Sequence, residues 1–184
     1  MTKRMLFINI ILSQVIILII ALLLGRLLVS DIGFRDLLKI ELSVKTIITF
    51  LVGSAALLSL QLLFHKYVSK ERLFDEINVI LIEKFSLPNL FLVFFSGSFA
   101  EEFLFRGILQ PLIGIWLTSL LFALIHFRYL RKFFILIEVY LMGIILGISY
   151  VISSSLWVPI FCHLFVNFIT ALLIKKGYLK YYNE

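Results

Sequence analysis

The chain has 184 residues, of which 62% are hydrophobic and only 15% are charged, and its mean hydropathy is +1.11. Soluble domains are about 45–50% apolar and about 25% charged, so this composition excludes a water-soluble domain with a single core. The net charge is +6, but the basic residues lie at the ends of apolar runs. That placement is typical of membrane topology, so we expect the lipid bilayer as a partner and no nucleic acid.

A membrane-spanning helix needs about 20 mostly apolar residues. Six segments meet or approach this length, which predicts an all-α membrane protein, a bundle of about six transmembrane helices. In chain order the predicted spans are residues 5–29, 46–64, 88–114, 115–127, 133–152 and 156–174.

A charged segment, residues 66–87, lies between the second and third spans and carries apolar residues at helical spacing: Leu73, Ile77, Ile80 and Leu81. This pattern predicts an interfacial amphipathic helix on the membrane surface. A solvated helical loop is the equal alternative.

The distribution of basic residues predicts the orientation in the membrane. With six spans both termini lie on one side, and twelve of the seventeen basic residues fall on that side: Lys3, Arg4, Lys66, Lys70, Arg72, Lys84, Arg128, Arg131, Lys132, Lys175, Lys176 and Lys180. By the positive-inside rule the protein is a multi-pass cell-membrane protein with cytoplasmic N- and C-termini. We divide the chain into an N-terminal membrane region (1–87), a four-span core (88–175) and a short cytoplasmic tail (176–184).

The third span contains charged residues that lipid does not favour. Glu101, Glu102 and Arg106 lie within an otherwise apolar stretch, where each charge costs at least about 2.5–3.5 kcal/mol. Glu102 and Arg106 are four residues apart and share a helix face, which predicts an ion pair. Glu101 points about 100° away from that face, so it is free for chemistry.

Three further polar residues lie in the later spans. His126 ends the fourth span, while His163 and Asn167 are four residues apart in the sixth and face the same direction. Alone, such residues are typical of helix ends and of hydrogen bonds between membrane helices. At 1.5 Å per residue, Glu101 and His163 fall about 20 Å from the cytoplasmic side. His126 falls at about 13 Å if the helix breaks near Gly114, so we predict that break and a convergence of these side chains.

The fifth span contains one more acid, Glu138, within two turns of the basic Arg131 and Lys132. We expect its carboxylate to extend toward that basic end rather than to join a site. Gly143 and Gly147 in the same span predict a face on which helices approach closely.

Three motifs occur in order within apolar spans: Glu101-Glu102-x-x-x-Arg106, Phe122-x-x-x-His126 and His163-x-x-x-Asn167. Each is weak alone, but together they resemble the CPBP family of intramembrane proteases, also called the CAAX-protease and bacteriocin-processing or Abi family. The resemblance covers about residues 88–175.

The resemblance implies hydrolysis of a peptide bond in or near the membrane. Glu101 would then act as general base on a water molecule that His126 positions or polarises, while His163 and Asn167 would stabilise the oxyanion. Glu102, Arg106 and Phe122 would support the site.

A metal ion is an open alternative at this site. Glu101, His126 and His163 would suffice as ligands of a catalytic zinc. The chain has no His-Glu-x-x-His helix, however, and a glutamate-activated water needs no metal. We therefore favour chemistry without a cofactor.

Two functions follow from these patterns. The first is an intramembrane endopeptidase that acts on a hydrophobic, lipidated or leader-bearing peptide. The alternative is a non-catalytic membrane scaffold or bacteriocin self-immunity protein that acts by binding a partner. Neither the substrate nor the oligomeric state can be deduced from the sequence.

Overall fold

The structure is a computed structural model that describes residues 2–28, 33–73 and 75–179. The last five residues of the predicted tail therefore lie outside the described residues. Regular structure in the described part is entirely helical. The α-helices are α1 (Lys3–Leu28), α2 (Phe34–Leu37), α3 (Val44–Tyr67), α4 (Lys70–Leu73), α5 (Glu76–Lys84), α6 (Leu87–Glu102), α7 (Gln110–Ile125), α8 (Phe133–Ser153) and α9 (Trp157–Lys175). A π-helix (Phe103–Leu109) joins α6 to α7, and a 3-10 turn (Phe127–Tyr129) follows α7.

Five helical segments in the described part are long and apolar enough to cross a membrane. They are α1, α3, α8, α9 and a 39-residue segment, Leu87–Ile125, that runs from α6 through the π-helix to α7. These segments confirm a helical membrane protein. The count differs from the six predicted spans because the third and fourth spans belong to this one long segment.

The long segment folds back on itself at Gly114. This glycine has φ 77° and ψ 172°, a conformation that side-chain-bearing residues rarely adopt. The rings of Phe105 and Phe122 lie 5.1 Å apart across the fold. In a straight helix, 17 residues would separate them by about 25 Å. The break predicted near Gly114 is therefore confirmed, and it brings α7 back beside the end of α6.

The helices on either side of this hairpin complete the bundle. α3 packs against α8 and α9, α1 packs against α6 and the π-helix, and α8 packs against α7. A Cβ atom at Gly143 would lie 3.0 Å from the Cβ atom of Ser119, so α7 and α8 approach closely at this glycine. The predicted close approach on the glycine face of the fifth span is confirmed.

The charged segment between α3 and α6 forms α4 and α5. Leu73 and Leu81, two of the four predicted apolar-face residues, are buried, whereas Ile77 is 37% exposed. Leu81 belongs to a core cluster that includes Leu6 of α1 and Ala171 of α9. These short helices therefore lie against one end of the bundle, beside the cavity described next.

Candidate active site

The four predicted catalytic residues line one cavity of about 370 Å³, here called the polar cavity. Glu101 comes from the last turn of α6, His126 follows α7, and His163 and Asn167 come from α9. The hairpin at Gly114 is what returns His126 to the level of Glu101. The convergence predicted from depth is therefore seen in the structure, for side chains that lie up to 66 positions apart in the sequence.

Glu102 and Arg106 form the ion pair that their spacing predicts. Both side chains are fully buried, and Arg106 Nε lies 3.0 Å from Glu102 Oε2. Arg106 Nη2 also donates to the backbone oxygen of Gly143 at 2.9 Å. Removal of either group would leave the other buried without this ion-pair partner, which is destabilising. The pair therefore holds α6 and the π-helix against α8.

The π-helix that carries Arg106 was not predicted. Its hydrogen bonds span five residues rather than four, as in the bond from the Gln110 N–H to the Phe105 oxygen. Such segments are rare and occur frequently at functional sites. Gln110 donates in turn to the backbone oxygen of Gly147 at 3.0 Å. Arg106 of the π-helix and Gln110, the first residue of α7, thus both donate to backbone oxygens on the glycine face of α8.

His163 lies between the two glutamates. Its Nδ1 is 2.9 Å from Glu102 Oε1, and its Nε2 is 3.9 Å from Glu101 Oε2. An ionised carboxylate only accepts hydrogen bonds. The proton of this bond therefore lies on Nδ1, which donates to Glu102. Glu102 therefore orients His163 as well as Arg106, a role that its spacing did not predict. The distance of 3.9 Å between His163 Nε2 and Glu101 Oε2 is too long for a direct hydrogen bond, so both atoms are available to a group bound in the polar cavity.

The ring of His126 is held from two sides. Its Nδ1 lies 2.7 Å from the backbone oxygen of Phe122, and a carbonyl oxygen only accepts, so Nδ1 carries a proton. Its ring also stacks on that of Tyr129, with centroids 5.8 Å apart and planes inclined by 3°. In the neutral ring Nε2 is then the nitrogen with a free lone pair, able to accept a hydrogen bond.

Phe122 is the apolar centre around which the polar groups are arranged. Its ring lies 5.1 Å from that of His126 and 6.0 Å from that of His163. The Arg106 guanidinium lies 4.6 Å from the Phe122 ring centre, within the range of a cation–π interaction. The structure thus places Phe122 in direct contact with the site, as its predicted supporting role requires.

Comparison with known proteins identifies the family. Residues 83–169 match the family model described as type II CAAX prenyl endopeptidase Rce1-like. The chain is also 33% identical over 171 residues to the Bacillus subtilis (strain 168) protein named uncharacterized protein YpbD, a match that covers 91% of this chain and 89% of that relative. The chain belongs to the Rce1-like CAAX protease family. No solved structure matches it.

Membership in the Rce1-like family confirms the resemblance that the three motifs carry, and it indicates protease activity in a membrane. The matched residues include all three motifs. The similarity to the Bacillus protein extends over nine-tenths of the chain, so it also covers most of the N-terminal region that carries no motif.

The three candidate zinc ligands do not form a ligand set. In the described part of the chain, no three His, Cys, Asp or Glu side chains are grouped so that they could hold a metal ion. The residues present do not fit a zinc ion, and no step below depends on one.

Two buried polar residues line the polar cavity without having been predicted there. Glu138 is only 7% exposed and does not extend to the basic end of α8, so the expected position of its carboxylate was wrong. Ser98, one turn before Glu101, is 1% exposed. Both residues lie within predicted spans, but a single sequence does not show which neighbouring helix each side chain faces.

A hydrogen-bonded cluster closes one end of the polar cavity. The Tyr129 hydroxyl donates to Asp75 Oδ2 at 3.0 Å and accepts from Arg128 Nη2 and Asn78 Nδ2. Arg128 Nη2 also lies 3.0 Å from Asp75 Oδ2. Burial raises the pKa of Tyr129 to about 12. The cluster ties the α4–α5 segment to the turn that carries His126.

Proposed function

We propose that this protein is an intramembrane endopeptidase that hydrolyses a membrane-associated peptide by means of a water molecule activated by Glu101. The observation that carries the proposal is the division of labour between adjacent glutamates. Glu102 is fully buried and engaged by both Arg106 and His163. Glu101 has no cationic partner within hydrogen-bond distance in the described structure and faces the polar cavity.

The first step is attack of water on the scissile carbonyl carbon. Glu101 removes a proton from the water, and the oxygen forms a bond to the carbon. The neutral His126 ring offers the lone pair of Nε2 to the same water, because Nδ1 is occupied by the Phe122 oxygen. General base catalysis of this kind contributes about 10²- to 10⁴-fold to a rate.

The second step is stabilisation and collapse of the tetrahedral intermediate. In the proposed mechanism His163 carries a proton on each nitrogen, so that Nε2 donates to the oxyanion while Nδ1 donates to Glu102. The amide group of Asn167, which lines the same cavity, is the second donor. Glu101 then passes its proton to the departing nitrogen, which leaves a free carboxylate and a free amine.

The substrate proposed is a hydrophobic, lipidated or leader-bearing peptide that reaches the site from the membrane. The helices around the cavity expose apolar side chains over most of their length, so a peptide held in the bilayer can approach them. Membership in a family described as prenyl endopeptidases supports a membrane-bound substrate. Twelve of the seventeen basic residues fall on the side of the membrane that holds the two termini. This excess supports a cell-membrane location with cytoplasmic termini.

The test is a comparison of membrane peptides in cells that express the wild-type protein or the Glu101→Gln variant. We expect at least one hydrophobic peptide to accumulate uncleaved in the variant. Glu41→Gln is the matched control because Glu41 is an exposed acid that pairs with Lys39, outside the polar cavity. Its peptide profile should equal that of the wild type.

Two outcomes would contradict the proposal. If the Glu101→Gln protein inserts at normal abundance and every peptide is still processed, Glu101 is not the base. If such a variant also retains the cellular phenotype of the wild type, the scaffold or self-immunity function replaces the protease function.

A further inference from the structure

Glu138 is a buried acid that the proposed mechanism does not use. Its side chain lies on α8, only 7% exposed, and lines the polar cavity. Its Oε1 atom has no hydrogen-bond partner in the structure. A buried carboxylate without a partner is costly, and such residues within membrane spans are functional candidates.

The arginines beside the polar cavity are already committed to other acids. Arg106 pairs with Glu102, and Arg128 pairs with Asp75. No described basic side chain forms an ion pair with Glu138. The described part of the protein therefore supplies no cationic partner for this carboxylate.

Ser98 is a second unsatisfied polar group in the wall of the same cavity. It is 1% exposed, and its Oγ atom has no hydrogen-bond partner. Two glutamines of the wall do form hydrogen bonds: Gln14 donates to the Val93 oxygen, and Gln61 accepts from Thr170. Buried polar groups are nearly always paired, so an unpartnered carboxylate oxygen and an unpartnered hydroxyl in one cavity indicate a missing hydrogen-bond partner.

A cationic donor would satisfy both the hydrogen bond and the charge of the Glu138 carboxylate. We propose that Glu138 and Ser98 form a subsite that binds the lysine or arginine side chain of a peptide substrate. The subsite rests on the proposed function, in that the bound peptide is the one that Glu101 cleaves. A cavity of about 370 Å³ has room for such a side chain, since one water molecule occupies about 30 Å³.

This subsite would discriminate substrates by charge. A basic side chain satisfies Glu138, whereas an acidic side chain would place a third carboxylate beside Glu101 and Glu138. Hydrogen bonds to charged groups are strong enough to give about a tenfold difference in affinity between a cationic residue and a neutral residue of similar shape.

The test measures binding rather than cleavage. The protein carries Glu101→Gln throughout, so that peptides are not consumed and the other unpaired carboxylate is absent. The probes are leucine–alanine peptides with both ends blocked, in which a single lysine, or glutamine as the neutral match, is moved along the sequence. Binding is measured in phosphatidylcholine vesicles, which carry no net charge, against protein-free vesicles.

We expect the lysine peptide to bind about tenfold more tightly than its glutamine match at one position in the series. That preference should disappear when Glu138→Gln is added and persist with the control Glu83→Gln, since Glu83 is an exposed acid on α5. Ser98→Ala should reduce the preference without abolishing it. The Glu138→Gln variant should be at least as heat-stable as its parent, because it removes an unpaired buried charge.

No lysine preference at any position, or a preference that survives Glu138→Gln, would overturn the subsite. Failure of the subsite, seen in peptide binding, is distinguishable from failure of the proposed function, seen in peptide processing. If peptides are processed normally by the Glu101→Gln protein while the lysine preference depends on Glu138, the cation subsite stands and the catalytic role of Glu101 falls.

Discussion

Two cavities of nearly equal volume lie in the same helical bundle and differ in chemistry. The polar cavity of about 370 Å³ is lined by residues from each of the three motifs: Glu101, Phe122, His126, His163 and Asn167. A second cavity of about 390 Å³, here called the apolar groove, is bordered by α3, α6 and α9 and is lined mainly by aromatic and aliphatic residues: Ile47, Phe50, Phe91, Trp157, Val158, Phe161, Leu164, Phe165 and Phe168. Helix α9 contributes to both.

The comparison shows that volume does not identify a site in a membrane protein. An apolar groove between helices costs nothing in lipid, because lipid tails fill it with contacts like those of a side chain. Polar and charged groups at the same depth are costly and persist only where they are paired or used. Both kinds occur at the polar cavity: the fully buried pair of Glu102 and Arg106 lies behind its wall, and Glu101 and Glu138 line it without a cation within hydrogen-bond distance among the described residues.

The largest expected effect on stability is that of Arg106→Met. The substitution removes the arginine partner of the buried Glu102 and leaves His163 as its remaining partner, so the free energy of unfolding should fall by about 3 kcal/mol, the lower end of the range for a broken buried pair. The double variant Glu102→Gln/Arg106→Met should recover much of that loss. Thermal unfolding of the purified protein in detergent measures both. A loss no greater than that of a conservative change in the apolar groove would contradict the structural role of the pair.

Asn167→Ala tests the oxyanion role and should slow cleavage by about 10²- to 10³-fold, as removal of one oxyanion donor does in other hydrolases. The effect should appear in kcat with little change in KM, because the hydrogen bond strengthens only in the transition state. The measurement is steady-state cleavage of the peptide that accumulates in the Glu101→Gln cells. A change confined to KM would make Asn167 a binding residue instead.

Tyr129→Phe tests the cluster at the end of the polar cavity. It removes the hydroxyl between Asp75, Arg128 and Asn78 but keeps the ring that stacks on His126, so we expect a loss of about 1–3 kcal/mol in unfolding free energy.

The same variant gives a test by pH. The pKa of Tyr129 is raised in the fold from 10.0 to about 12, so the folded state favours the neutral hydroxyl. Its contribution to stability is full below pH 10 and is lost as the pH rises toward 12. Alkaline unfolding curves of wild type and Tyr129→Phe should therefore converge over that interval. Curves that stay parallel would show that ionisation of Tyr129 is not coupled to unfolding.

Leu164→Met is expected to have the smallest effect and serves as the matched control from the apolar groove. Leu164 follows His163 directly on α9 but lines the groove rather than the polar cavity. A swap of similar volume should cost less than about 1.5 kcal/mol and change the cleavage rate by no more than about twofold. A hundredfold loss of activity would show that the groove takes part in the reaction.

Local spacing predicted the features that depend on one helix. The ion pair of Glu102 with Arg106 follows from their separation by four residues, and both are found paired. The break at Gly114 followed from the depth at which His126 had to lie, and the glycine adopts a positive φ there. In each case the spacing of residues along the sequence gives their positions along and around the helix, because helical rise and rotation per residue are fixed.

Three other features that depend on contact between helices could not be predicted. Glu138 was expected to extend toward the basic end of α8, since a single sequence shows its helix but not the cavity beside it. The contact of Glu102 with His163 joins residues 61 positions apart. The π-helix around Arg106 has no residue pattern that distinguishes it from an α-helix, so its register shift appears only once the helices are packed.

The most direct test of the central claim is the rate of peptide cleavage by purified protein in vesicles, compared among wild type, Glu101→Gln and Glu41→Gln. The substrate is the peptide that accumulates uncleaved in the Glu101→Gln cells. We predict that Glu101→Gln lowers kcat by about 10²- to 10⁴-fold, as loss of a general base does, while Glu41→Gln matches the wild type. Equal rates for all three proteins, with each one folded and inserted, would contradict the assignment of the polar cavity as the catalytic site.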